Sequence, residues 1–367
     1  MVTRRSCDAG GRCQWFYARP DTRLRPGIGI YRGFRSTAGT PQERLVVPTG
    51  RVSLFIGFGS EIRLGRAAAG REGTARREGG GRPGGGREGA GDCTGTGTGT
   101  GREAGGRTGG GREGGGGTGA EWEDGGGTGA EWEDGGGTGA EWEDGGGTGA
   151  GWDAGGRTAV HTSVVSGLHT RARVLGHQGD LHGVELTLAP WAAYRLFGSP
   201  LGELADVLTD PADVLGRRAR DLTAALEAAP GWAGRFAALD ETLLRWAADV
   251  APSREPSPAV LRAWELLNRS SGTVPVRELA ARCGWSPRHL ENRFREQIGL
   301  TPKRLARILR LNRAIRQLTA GGRPADIAAG CGFYDQSHLS REFTDLTGMP
   351  PGRFLATRKE ASAWLAG

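Results

Sequence analysis

Residues 278–302 read ELAARCGWSPRHLENRFREQIGLTP, and residues 326–351 read DIAAGCGFYDQSHLSREFTDLTGMPP. The second is an imperfect copy of the first. Ala280-Ala281 answers to Ala328-Ala329, Cys283-Gly284-Trp285 to Cys331-Gly332-Phe333, His289-Leu290 to His338-Leu339, and Phe294 to Phe343. In each copy a short apolar run ends at Cys-Gly, where glycine permits a tight turn, and a longer amphipathic run follows. Ser286 as N-cap and Pro287 in the first helical position open the long run of copy one. The signals predict helices near 275–282 and from 287 to about 297. In copy two they predict a short helix over 327–330, Asp335 as N-cap, and a helix to about 346.

Helix, glycine turn, helix is the helix-turn-helix arrangement, whose second helix can lie in a DNA major groove. Leu290 and Phe294, four apart, turn inward, as do Leu339 and Phe343. That leaves Ser286 at the helix start and Arg288, His289, Glu291, Asn292 and Arg295 outside in copy one, with Gln336, Ser337, His338 and Arg341 outside in copy two. These residue types read base edges or hold phosphates. A single αα corner in a structural bundle has the same pattern, and it is the repetition that argues for DNA. Between the copies, KRLARILRLNRAIRQLTAGG is helical throughout, with Ile308, Leu311, Ile315 and Leu318 on one stripe and Gly321-Gly322 as terminator. Arg304, Arg307, Arg310, Arg313 and Arg316 wind around it. Those that meet DNA would grip phosphate, and the others would pair with acids or solvent.

Charge agrees with this reading. From Thr273 to Lys359 there are 16 Arg and Lys against 7 Asp and Glu, a net of +9 in a chain whose total is +7. Concentrated positive charge supplies most non-specific affinity for nucleic acid by releasing counterions from phosphates. The 367 residues include 68 glycines and five cysteines, at 7, 13, 93, 283 and 331. An odd count without CxxC pairs argues against a disulfide scaffold or a structural zinc. No apolar run approaches the roughly 18 residues of a membrane span, and no secretory leader opens the sequence, so a cytoplasmic location is expected.

Upstream, residues 1–20 read as a flexible basic lead-in. YRGFRSTAGTPQERLVVPTGRVSLFIGFGSEIRLG then alternates apolar and polar positions between turns, as strands do. Residues 66–158 are too rich in Gly, Arg, Glu and Thr to bury a core and read as disordered. They contain GGGTGAEWED at 115, 125 and 135, decaying at 145. Strand-like sequence resumes at VHTSVVSGLHTRARVLGHQGDLHGVELTLAP, so the insertion interrupts one β-rich domain. Loop-closure entropy grows only logarithmically, so this excursion costs about 2 kcal/mol more than a ten-residue loop. WAAYRLFG, SPLGELADVL and DPADVLGRRARDLTAALEAAPGWAGRFAALDETLLRWAADV read as helices. PSREPSP, 252–258, breaks the pattern.

The expected fold class is α+β. A β-rich sensor part with following helices (21–65 and 159–251) carries the Gly-rich insertion. A linker and helix (252–272) leads to an all-α domain with two helix-turn-helix motifs joined by a long helix (273–359), and a tail (360–367) ends the chain.

Residues 273–358 resemble the DNA-binding domain of the AraC/XylS family of bacterial transcription regulators. The resemblance rests on GLTPKRL after the first motif, on AAGCGFYDQSHLSREF, and on the G-x-x-P-x-x-F ending from Gly348 to Phe354. It implies base-reading places at Arg288, Glu291 and Asn292, and at Gln336, Ser337 and Arg341. Leu339, Thr344 and Leu355 depart from the family's frequent Phe, Lys and Arg; the first conserves the core, and the other two remove charge near the second motif. SGLHTR, ELTLAPWAAYRLFG and ELADVLTDPADVLG are similar to sensor parts of actinobacterial members. The implied partners are double-stranded DNA, RNA polymerase as a possible second, and a small-molecule effector of unknown identity. No cofactor, metal or catalysis is expected. Two rival readings stand beside this one. One is a partner-binding scaffold working through Trp122, Trp132, Trp142 and Trp152. The other is a DNA-repair alkyl-acceptor protein, which would need an activated cysteine and has no Pro-Cys-His run.

Overall fold

A computed structural model of the chain describes residues 2–6, 12–37, 39, 41–66 and 159–357. The insertion from 67 to 158, with its repeats, and the tail lie outside them.

Among the described residues, eleven strands form over short runs. They are β1 Val2–Ser6, β2 Cys13–Ala18, β3 Tyr31–Thr37, β4 Gln42–Val46, β5 Val52–Gly57, β6 Ile62–Arg66, β7 Ala159–His161, β8 Val164–Ser166, β9 Arg173–His177, β10 Asp180–Leu188 and β11 Leu208–Thr209. They form a seven-stranded sheet ordered β1-β2-β3-β10-β5-β8-β11 and a four-stranded sheet ordered β4-β9-β6-β7. Neighbouring strands in both sheets run antiparallel, with Val184 opposite Ile56 and Leu64 opposite Leu175, for example. β6 pairs with β7, with Leu64 opposite Ala159. The insertion therefore leaves and re-enters at adjacent strands, as the resumption of strand-like sequence implied.

Period-two alternation gives the larger sheet two different faces. One face, with Val184, Leu186, Leu54 and Ile56, joins a core shared with helices. The other, with Trp15, Phe34, Phe55 and Leu181, closes on Ile62 and Leu64 of the smaller sheet. Phe34 and Phe55 stack at 5.2 Å.

Two expectations are corrected. The lead-in at 1–20 contains β1 and β2, and Cys13, Trp15 and Ala18 are buried. The apolar alternation Cys13, Trp15, Tyr17 suits a strand paired on both sides, with β1 and β3, and the preceding arginines hid it. Cys13 is also disulfide-bonded, which the cysteine spacing did not predict. The second correction concerns SPLGELADVL, which is not an α-helix. Only Leu201–Leu204 turns, as a 3-10 segment, and Leu208–Thr209 pairs with β8 as β11. A free sheet edge captures the end of a segment too short to hold a helix by itself.

The helices are α1 Pro190–Phe197, α2 Pro211–Leu215, α3 Arg217–Ala228, α4 Gly231–Ala248, α5 Pro258–Arg269, α6 Val276–Arg282, α7 Pro287–Ile298, α8 Pro302–Thr319, α9 Pro324–Gly330 and α10 Gln336–Thr347. Residues 351–357 are helical as well. Phe236, Leu239 and Leu243 of α4 cover the larger sheet, where Tyr31 donates its hydroxyl proton to Asp240 at 2.9 Å. α5 packs on α6, α7 and α8, and its Ser257 amide donates to the buried Gln297 side chain of α7 at 2.9 Å. Among the described residues no helix is long and apolar enough to cross a membrane.

Candidate nucleic-acid interface

Each motif is built by the same local devices. α6 ends at Cys283, Gly284 turns at φ +70°, and Ser286 Oγ accepts the His289 amide at 3.3 Å to cap α7. In the second motif α9 ends at Cys331, Gly332 turns at φ +76°, and Asp335 Oδ1 accepts the His338 amide at 2.6 Å to cap α10. Both long helices stop at a left-handed glycine, Gly299 at +100° and Gly348 at +79°. A residue with no Cβ adopts that backbone at least cost, so the stop is written in the sequence.

The inward residues fall where their spacing put them. Leu290 and Phe294 are fully buried in one motif, and Leu339 and Phe343 in the other. Outside, Ser286, Arg288, His289, Glu291, Asn292 and Arg295 are exposed, as are Gln336, Ser337 and Arg341. Arg288, Glu291, Asn292 and Arg295 stand at i, i+3, i+4 and i+7, so they share one stripe opposite the core. Ser337 and Arg341 lie on the matching stripe of α10, where Arg341 Nε donates to the Ser337 carbonyl at 3.3 Å. Gln336 stands apart at the helix start.

The two histidines behave differently from these readers. His289 meets Trp285 edge-on at 4.5 Å, and His338 meets Phe333 edge-on at 5.6 Å. His338 is half-buried, accepts the Tyr334 amide at Nδ1 from 3.1 Å and stands 3.9 Å from Glu342. Both rings brace the turn against the helix that follows it, so His338 is less outward than its position suggested.

The arginines of α8 divide as expected. Arg307 binds both carboxylate oxygens of Glu342 at 3.0 Å and Asp345 at 2.8 Å, while Arg310 stands 3.8 Å from Glu342. These arginines fasten α10 to α8. Arg304 and Arg316 are exposed and available to phosphate. Sequence reading had passed over Glu342 and Asp345. Their spacing of three, which places both acids beside an arginine-rich helix, was the signal that could have found them. It had also passed over Tyr334, 92% exposed in the second turn, which is one residue longer than the first.

Among the described residues, neither free cysteine, Cys283 or Cys331, is set up as a nucleophile. Burial pushes both the Cys283 and Cys331 thiols up, and the Cys331 thiol donates to Gln317 at 3.3 Å. A protonated thiol is the weaker nucleophile. Among the described residues no group of three or more His, Cys, Asp and Glu is placed to hold a metal ion. His169 and His177 are buried apart from any such group.

Residues 279–357 match the family model of a helix-turn-helix domain. An uncharacterized HTH-type transcriptional regulator of Bacillus subtilis, YbfI, is 37% identical over 108 residues, covering 28% of this chain and 39% of that protein. The HTH-type transcriptional regulator Rv1931c of Mycobacterium tuberculosis is 33% identical over 87 residues, covering 23% of this chain and 34% of its own length. The chain thus spans well under half the length of these curated relatives. Among solved structures, the C-terminal domain of AraT from Geobacillus stearothermophilus shares 23% identity at TM-score 0.27, covering 28% of this chain and 87% of that one. ToxT from Vibrio cholerae shares 9% at TM-score 0.37, covering 89% and 96%. With two capped helix-turn-helix motifs joined by α8, and the family model laid over residues 279–357, the C-terminal region of this chain is a helix-turn-helix domain.

Proposed function

We propose that the chain is a sequence-specific transcription regulator that reads two successive major grooves, with α7 in one and α10 in the other. The observation that carries this reading is the pairing of two N-capped helices, each burying one face and presenting a polar stripe, at the two ends of one 18-residue helix. At 1.5 Å per residue α8 is about 27 Å long. With the width of the flanking motifs, that suits the roughly 34 Å between successive faces of the groove.

Within this reading Arg288, Glu291 and Asn292 read one half-site, and Gln336, Ser337 and Arg341 read the other. Arginine suits guanine, and Asn and Gln suit adenine, because each can make two hydrogen bonds to that base edge. The stripes differ in chemistry, so the half-sites differ in sequence and stand in direct order instead of forming a palindrome. The exposed arginines of α8 and the N-terminal turns hold phosphate and set register. The family resemblance extends the proposal to a small-molecule effector taken by the β-rich half, to RNA polymerase as a partner, to action in the cytoplasm and to the absence of catalysis. The domain limits read from the sequence belong to the same proposal.

The test is selection of bound duplexes from a random-sequence pool by the full-length protein, followed by footprinting. Two unlike protected half-sites about one helical turn apart are expected. Binding that is equally strong on every sequence would overturn the reading. Deleting residues 67–158 addresses the tryptophan-repeat alternative, which predicts loss of transcriptional output with DNA binding intact.

A further inference from the structure

The β-rich half touches both reading helices, and it does so through two short segments that hold each other. The first is the 3-10 turn Leu201–Leu204, which packs on α7. The approach is backbone to backbone in both directions. A Cβ added to Gly202 would stand 3.1 Å from the Arg295 carbonyl oxygen, and one added to Gly299 would stand 3.1 Å from that of Leu201. Leu201 and Leu204 share a core with Leu290, Phe294 and Ile298.

The second segment is the loop from 167 to 172, between β8 and β9. Its Leu168 belongs to that same core, whereas Ala172, four residues later, belongs to the separate core of α8, α9 and α10. The Ala172 amide donates to the Leu346 carbonyl of α10 at 2.7 Å, and Arg171 reaches Asp345 at 3.3 Å. The loop thus passes from the core of one motif to the core of the other.

Asp206 ties the two segments together. Its carboxylate accepts the Thr170 amide at 2.6 Å and the Thr170 hydroxyl at 3.0 and 2.9 Å, and its own amide donates to Leu168 at 2.9 Å. Asp206 also holds φ at +59°, one of two non-glycine residues with positive φ among the described ones. An L-residue is uncommon there, and the surrounding contacts must offset the strain. Asp and Asn tolerate that backbone better than most side chains. A residue at positive φ whose carboxylate accepts both the amide and the hydroxyl of one threonine is a joint.

We infer that residues 168–172 and 201–206 form a yoke that sets the spacing between the two reading helices, with Asp206 as its positioning residue. α8 alone would leave the second motif free to bend with a single helix. A brace from the other side closes a loop of contacts, α7 to Leu201, Asp206 to Thr170, Ala172 to α10, and makes the separation stiff. The inference rests on the two-groove reading above.

The test uses the full-length chain and the duplex that the wild type selects from a random pool. Base pairs are added or removed between the half-sites, and the ratio of affinities for native and altered spacing is measured. The wild type should lose about tenfold or more on altered spacing, a usual size for coupling between sites. Asp206→Gly keeps the left-handed backbone and removes the tether, so its ratio should fall towards one with base preference inside each half-site unchanged. Asp206→Asn, which keeps the backbone tolerance and one acceptor oxygen, should restore most of the ratio. A wild-type ratio in Asp206→Gly overturns the yoke, and so does lost preference within a half-site, which would mean a damaged motif. Should Asp206→Gly not fold, Thr170→Val carries the same readout. A wild-type selection that returned a single half-site would sink the two-groove reading and the yoke together. A two-part site with an unaltered Asp206→Gly profile would sink the yoke alone.

Discussion

In the first motif Leu290, Phe294 and Ile298 lie in the same core as Leu54 and Val184 of the sheet. In the second, Leu339, Phe343 and Leu346 close on α8, α9 and Phe354, whose ring meets Phe343 edge-on at 5.2 Å. Only Val47 and Ala172 join that second core from the β-rich half as buried apolar residues. Two copies of one local design have therefore been given different neighbours. One is built into the β-rich half, and the other is joined to it by a helix, a loop and a few ion pairs. The first motif should move with the sheet, and the second should move more easily by itself.

Removing the buried ring from each motif is the strongest way to break this comparison. Phe294→Ala and Phe343→Ala should each cost about 3–5 kcal/mol, since both remove a fully buried ring. Hydrogen exchange would separate them. Phe294→Ala should lower protection in the sheet as well as in α7, and Phe343→Ala should lower it in α9 and α10 with β10 largely spared. Equal losses in β10 would show one cooperative unit.

Acid tests the loop that supports the second motif. Burial, with Arg173 nearby, lowers the His169 imidazole to about 4 from an ordinary 6.5. Between those values the unfolded chain binds a proton that the folded chain refuses. Stability is therefore complete above pH 6.5 and falls as pH drops towards 4, by up to about 3 kcal/mol. Denaturation midpoints measured across that window should slope upward with pH, and less steeply in His169→Leu. An unchanged slope in that variant would refute the assignment.

Arg341→Ala should cost about 1–3 kcal/mol at one base position of the second half-site and leave the first untouched, with Asn292→Ala doing the reverse. Mobility shifts on single-base variants of the selected duplex would read this. A uniform loss on every sequence would reassign either residue to phosphate.

The caps sharpen the comparison at the smallest scale. Ser286→Ala and Asp335→Ala should each cost about 1 kcal/mol of stability. The larger loss is expected at Asp335, whose bond is 2.6 Å against 3.3 Å and whose charge complements the helix N-terminus. Thermal melts of the two variants would rank them.

Much of the helix-turn-helix domain was legible in the sequence. The turn glycines, the caps Ser286 and Asp335, the inward pairs and the stripe of α8 are all set by neighbours within a few residues. So is the place where the long insertion interrupts the sheet, because strand alternation stops and restarts around it. Other features were not legible. β1 and β2 stood behind a run of arginines, and SPLGELADVL, 199–208, has helix-like apolar spacing. His338 looked outward until Phe333 and Glu342 were found beside it. β1, β2 and β11 owe their state to pairing with other strands, and His338 to the packing of its own turn, which helical periodicity does not record.

Caps, turns and helical faces follow from chemistry over a few residues, so the two motifs, their order, their unlike polar stripes and the positive charge around them are written in the sequence. The tertiary structure alone decided that Thr170 meets Asp206, that Ala172 meets Leu346, and that the two motifs lie in different cores. Those contacts join residues 36 to 174 positions apart, and their energies exist only once the sheet has brought the segments together.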